Sequence, residues 1–236
     1  MLSIKRSISF ILAFLIFLMS PQFKILSLAS ENTNLPSNIS IIEDSANCYV
    51  VKEIKSTNEI IISSNDLVNH ILTITKYDSE MNFISEMYID LAMPVFPDLG
   101  TDLGTGSPTI PDVPNATVVS IDKKETVSKR NYEIQVYTSY TLWNLQKWND
   151  YKYFIQSSAN QQKLNNYKSA VDDLKNCETS LSLALSSALF STVVYAGATG
   201  GSGAAIAAVA GAAGALPYVV TYGNALDYAD ACYNAL

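Results

Sequence analysis

The chain predicts a mixed α+β fold: an N-terminal small antiparallel β module, then a long helix and an Ala/Gly-rich apolar helical hairpin. Three observations carry this reading. Between Ile41 and Leu142 short β-branched and aromatic runs alternate with turn residues. From Gln161 onward apolar side chains recur every three, four or seven positions. From Ser180 to Leu226 there is no Asp, Glu, Lys or Arg.

The first segment, residues 1–29, has Lys5 and Arg6 ahead of an apolar run from Ile8 to Met19, then Pro21 and the small-residue site Ser27-Leu28-Ala29. That order is the pattern of an export signal, and cleavage is expected after Ala29. No Cys stands at the cleavage site, which disfavours a lipoprotein. Residues 30–40 are rich in Asn and Ser and read as a flexible leader. The formal charge is -7 for the whole chain of 236 residues. Loss of the three basic residues Lys5, Arg6 and Lys24 leaves a still more acidic protein, which argues against nucleic-acid partners.

The β module spans 41–142. Its strand candidates are Cys48–Val51, Ile60–Ser63, Ile71–Tyr77, Asn82–Leu91, Thr117–Ile121 and Tyr132–Leu142, with the third and fourth expected to pair as a hairpin. Within it, 93–115 holds Pro94, Pro97, Pro108, Pro111 and Pro114, a density that removes ladder donors and predicts a long loop. Asp98, Asp102 and Asp112 lie there too, but their spacing matches no calcium-binding loop and reads as solvated.

The helical domain is expected over 143–236. Its opening passage collects Trp143, Trp148, Tyr151, Tyr153 and Phe154. Such a cluster serves as core or domain-junction packing, or else as a headgroup anchor or sugar-stacking platform. After capping residues near Ser157 to Asn160, the stripe Leu164, Tyr167, Val171, Leu174, Leu181 and Leu185 runs without a breaker into the charge-free stretch, so one long helix is expected.

The charge-free hairpin, 180–226, has a first arm marked by Leu181, Leu185, Leu189, Phe190 and Val193, and a bend at Gly197, Gly200, Gly201 and Gly203. Its second arm repeats small residues every four positions at Gly203, Ala207, Gly211 and Ala215. Each arm of about 15–19 residues would measure about 23–28 Å, close to the ~30 Å of a bilayer core. Small residues at that spacing let two backbones approach closely, in membrane helix pairs and in soluble hairpins alike. Pro217 and the scarcity of Leu and Ile in the second arm favour a buried soluble hairpin. On that reading the bend, with Ser202, faces water. On the other, the hairpin enters a target membrane.

Three cysteines in an oxidising compartment leave one over. Cys177 and Cys232 bracket the hairpin and are expected to form the disulfide, provided the second arm folds back to absorb an offset of about 13 Å. Catalytic chemistry has little to use. His70 is the only histidine, placed on an expected strand, and no nucleophile–base pair, zinc set or phosphate loop can be assigned. The chain therefore reads as a non-enzyme with no cofactor and no metal site.

The size, the 1–29 signal and the 180–226 stretch together resemble the large geobacillin-type bacteriocins, unmodified exported proteins that kill related bacteria. The resemblance implies a secreted antibacterial or cytolytic protein acting on a target-cell membrane or surface receptor. The small-residue helix face itself adds self-association as a further expectation. The expectation from another class is a secreted structural or adhesion protein whose hairpin is core. An extracellular hydrolase with an unrecognised site is a third.

Overall fold

The computed structural model describes residues 35–91, 116–210 and 214–236. The export signal, most of the leader, the proline-rich 93–115 stretch with its aspartates and Gly211 lie outside the described residues. The fold is α+β, with strands in the N-terminal part and helices in the C-terminal part.

Five strands form the first sheet: β1 (Ile39–Asp44), β2 (Cys48–Ile54), β3 (Ile60–Asp66), β4 (Ile71–Tyr77) and β5 (Phe83–Asp90). They pair in sequence order, each antiparallel to the next, so every connection is a hairpin. Turn chemistry sets these registers. Asp66 accepts from the backbone N–H of Asn69 (2.9 Å) and Val68 (3.0 Å), and Asp78 accepts from Asn82 (2.8 Å) and Glu80 (2.9 Å). Both carboxyls consequently sit below the usual carboxylate range, Asp66 chiefly through Asn69's backbone N–H and Asp78 chiefly through Asn82's side chain. His70, expected on a strand, instead ends the β3–β4 turn with φ 55°, exposed to solvent.

The second sheet runs β6 (Val118–Lys124), β7 (Arg130–Tyr137), β8 (Thr141–Lys147) and β9 (Asp150–Ile155), again a meander. Two expectations change here. The run Tyr132–Leu142 is two strands rather than one, because Thr138 to Tyr140 turn the chain and β7 pairs back on β8. The strands also continue through the aromatic passage to Ile155, beyond the expected start of the helical domain at 143.

Four helices follow among the described residues: α1 (Gln161–Ala184), α2 (Ser187–Gly200), α3 (Ser202–Ala208) and α4 (Leu216–Asn234). The single long helix expected through the charge-free stretch is broken at Leu185, whose backbone is extended, and Ser186. The Ser186 side chain accepts from the Leu189 N–H (3.4 Å) and so starts a new helix, the local competition that makes serine a better cap than helix interior. The second arm is likewise two helices. Pro217 opens α4 in its first turn, where its missing N–H leaves no bond unmade. No helix among the described residues is long and apolar enough to cross a membrane.

Period-2 burial of the first sheet explains where the helices go. Tyr49, Val51, Ile61, Leu72, Ile74 and Ile89 face inward, and α3 lies on them against β2, β3 and β4. All seven residues of α3 are buried. Small side chains bring it close to the sheet, and Asn65 Nδ2 donates to the Ala207 carbonyl at 2.9 Å. The small-residue repeat is thus used for helix-on-sheet packing: Gly203 and Ala207 are on α3, and Ala215 is the buried residue before α4. The second sheet buries Tyr132, Ile134, Trp143 and Leu145 against Leu164, Tyr167 and Val171 of α1 and Tyr233 of α4.

Helices α1 and α4 pack antiparallel. The rings of Tyr167 and Tyr233 lie 5.6 Å apart, and Glu178 and Tyr222 both meet Ser128. This register overturns the Cys177–Cys232 disulfide. Cys177 lies level with the neighbourhood of Gly223, about nine residues or ~13 Å of helix from Cys232. A disulfide needs Cα atoms within about 7 Å, and α4 is continuous, so the offset is not absorbed. All three cysteines are free and half-buried. Burial pushes the Cys177 thiol up, aided by Asp173 and Glu178, which lowers its reactivity.

Candidate functional site

The inner faces of both sheets change character at the same end of the molecule. In the first sheet the inward row Tyr49-Val51-Glu53 continues into Lys55, and Ile74 continues into Lys76. In the second, Leu145 and Tyr132 give way to Lys147 opposite Arg130. Where the helices stop covering the strands, apolar rungs become charged ones. The result is a cleft of about 720 Å³ between the two sheets, the end of α2 and one side of α4.

Two ion networks form its inner wall. Glu53, 0% exposed, pairs with Lys55 through one oxygen and accepts the Gly203 N–H through the other at 2.7 Å. Lys55 Nζ also donates to Asp227 Oδ1 on α4 at 2.9 Å, and Asp227 Oδ2 accepts from Ser202 Oγ at 2.7 Å. One carboxylate–ammonium–carboxylate chain therefore ties β2, the glycine bend and α4 together. Burial works against the charge on Lys55, but the Glu53 and Asp227 carboxylates outweigh it, and the ammonium holds its proton more firmly than usual. The second network centres on Arg130, 2% exposed, whose Nε and Nη2 grip Asp230 in a fork at 2.8 and 2.9 Å while Nη1 donates to the Ser128 carbonyl. Here too burial opposes the charge and Asp230 overcomes it, leaving the guanidinium raised. Behind it, buried Glu178 accepts from the N–H groups of Val127 and Ser128, both at 2.8 Å, and from Ser128 Oγ at 2.7 Å.

The glycine bend is built for this contact. Gly201 has φ 86°, a backbone region that L side chains rarely adopt, and a Cβ there would overlap the Lys55 ammonium. A Cβ on Gly203 would come within 2.9 Å of the Glu53 side chain. Gly197 and Gly200 are buried in the same corner. The bend expected to face water or cross lipid is instead the buried clasp between sheet and helices, and Ser202 is 1% exposed.

The first-arm residues follow the same logic. Leu181 and Val193 are fully buried, and Leu185, Leu189 and Phe190 pack partly against the core. The aromatic passage does not act as one cluster. Trp143 is core, 2% exposed, its Nε1 donating to Gln156 Oε1 at 2.9 Å. Phe154 packs partly on that core. The Tyr151 hydroxyl accepts from Gln146 at 2.9 Å, and Tyr153 is half-buried. Trp148 alone reaches the cleft, at the β8–β9 turn with φ 55° and its ring 6.1 Å from that of Tyr195.

Chemically, the inner wall of the cleft holds its charged groups in fixed pairs. Lys55 is a locked cation rather than a base, and Ser202 is buried with its hydroxyl donated to Asp227. Among the described residues no group of His, Cys, Asp and Glu is placed to hold a metal ion. Sequence reasoning missed Glu53, Lys55, Arg130, Asp227 and Asp230, since charges scattered over the chain give no local signal. The one available hint was alternation, which places Glu53 on the same strand face as Val51. No known protein family, characterised protein or solved structure matches this chain.

Proposed function

We propose that the protein is an exported, non-catalytic binding protein that keeps its apolar hairpin as folding core and engages its target through the cleft. The observation carrying this reading is the complete burial of α3, with its Gly203 N–H held by the buried Glu53 carboxylate. Moving α3 into lipid would take the Gly203 N–H from the enclosed Glu53 carboxylate and the Ser202 hydroxyl from Asp227, and leaving such a buried acceptor short of a donor costs about 1–3 kcal/mol. The protein then works as a folded body, in line with the secreted structural or adhesion class.

A second reading is a geobacillin-type antibacterial or cytolytic protein whose hairpin enters target membranes. It is favoured by the lack of charge between Ser180 and Leu226, which gives lipid nothing to exclude. One set of measurements separates the two: dye release from neutral and anionic vesicles, killing of indicator bacteria, and binding of labelled protein to whole cells, all with purified protein. The binding reading expects cell binding without dye release, and its loss in Ser56→Trp, which fills the cleft mouth from the exposed β2–β3 turn. Dye release by the protein, undiminished in that variant, would replace it with the membrane reading.

A further inference from the structure

We infer that the cleft is a subsite for a neutral oligosaccharide, an inference that rests on the cleft being the protein's binding site. Its size is the first argument, since about 720 Å³ falls in the range of small-ligand pockets.

Charge is the second. Lys55, Lys76, Arg130 and Lys147 are matched by Glu53, Glu59, Asp227 and Asp230 among the lining residues. Lys55 and Arg130 are already committed to carboxylates. A phosphate or nucleotide would find no cluster of unpaired cations, and a cationic ligand no unpaired group of acids. A lipid tail would find a lining rich in charge. Hydroxyl groups both donate and accept, so a surface that alternates ammonium and carboxylate groups suits them without net charge.

The third argument is the aromatic wall. Trp148 is held at the rim by its turn, and Tyr228 of α4, 52% exposed, also lines the cleft. Sugar rings present one apolar C–H face and a polar edge, which matches a flat indole beside polar side chains. The side chains of Lys76 and Glu59, at the open end of the sheet's inner face, form no hydrogen bond or ion pair with described residues and are available to hydroxyls.

The two tryptophans make the test direct. Trp143 is sealed in the core, so a ligand-dependent change in emission reports Trp148. Purified protein is titrated with chitohexaose, maltohexaose and mannohexaose, by fluorescence and calorimetry. At least one sugar is expected to saturate both signals. Trp148→Phe and Glu59→Gln, read by calorimetry, are each expected to weaken its Kd about tenfold while melting like the parent. Absence of saturable binding by all three sugars below about 10 mM overturns the inference, as does binding that both variants leave unchanged. Saturable binding of an alternating Lys-Glu hexapeptide without any sugar binding also overturns it, assigning the cleft to peptide. Persistent cell binding in Ser56→Trp instead removes the cleft as the binding site, a separate failure.

Discussion

Glu53 is the residue on which the interior depends most. It sits on β2 one rung beyond Val51, where alternation calls for an apolar side chain, yet its carboxylate is fully enclosed. Burial of an ion is tolerable only with good partners, and Lys55 and the Gly203 N–H provide them. Glu53→Ala is expected to lower unfolding free energy by about 3 kcal/mol in urea titrations, because Lys55 and the Gly203 donor lose their acceptor. Glu53→Gln keeps an acceptor for Gly203 and is expected to cost less. Equal loss in both variants would mean that charge alone matters there. Ser202→Lys follows from the same corner. A water-facing bend would accept it, whereas this one has a buried hydroxyl bonded to Asp227 and no room for four methylenes. The variant is expected to unfold or to melt far below the parent; a parent-like melt would contradict the buried clasp.

The elements were unequally legible. Strands β3, β4 and β5 announce themselves through β-branched runs and turn residues such as Asp78 and Asn82, and the apolar stripe of α1 reads directly as helix. The break at Leu185–Ser186 was hidden because serine is also common in apolar helices, and its capping role depends on where the chain must turn. The division of the second arm into α3 and α4 was half visible in Pro217, which starts a helix as readily as it ends one. The disulfide expectation failed on geometry that sequence leaves free, namely whether α4 bends. Since the three cysteines are free and the register of α1 and α4 offsets Cys177 from Cys232 by about 13 Å along the helices, intact mass after alkylation under denaturing, non-reducing conditions is expected to show three modified thiols. Reductant is expected to leave the melting temperature unchanged. A peptide linking Cys177 to Cys232 would require a different packing of the two helices.

At the scale of the whole molecule, two sheets share one helical layer, and tyrosines mark where the parts meet. Tyr49 lies under the first sheet, Tyr167 and Tyr233 under the second, and Tyr222 between them on α4 with its hydroxyl near Glu178 and Ser128. Burial raises all four phenols, Tyr49 to about 12 with a further push from Asp44, and the others higher. The direction fixes the pH window. Each raised group is neutral in the fold and ionises more readily in the unfolded chain, so its stabilisation is whole below the ordinary tyrosine value near 10 and is lost as pH rises toward the folded value. Stability is therefore expected to fall steadily above about pH 10, with four phenols pulling together. Phenolate absorbance should rise in two stages, exposed tyrosines first and the buried set only as circular dichroism shows unfolding. Tyr49→Phe is expected to shift the alkaline unfolding midpoint upward, because that residue then has no proton to lose. A single smooth titration of all tyrosines near pH 10 in protein that remains folded would mean that the sheets and helices do not close over these rings as described.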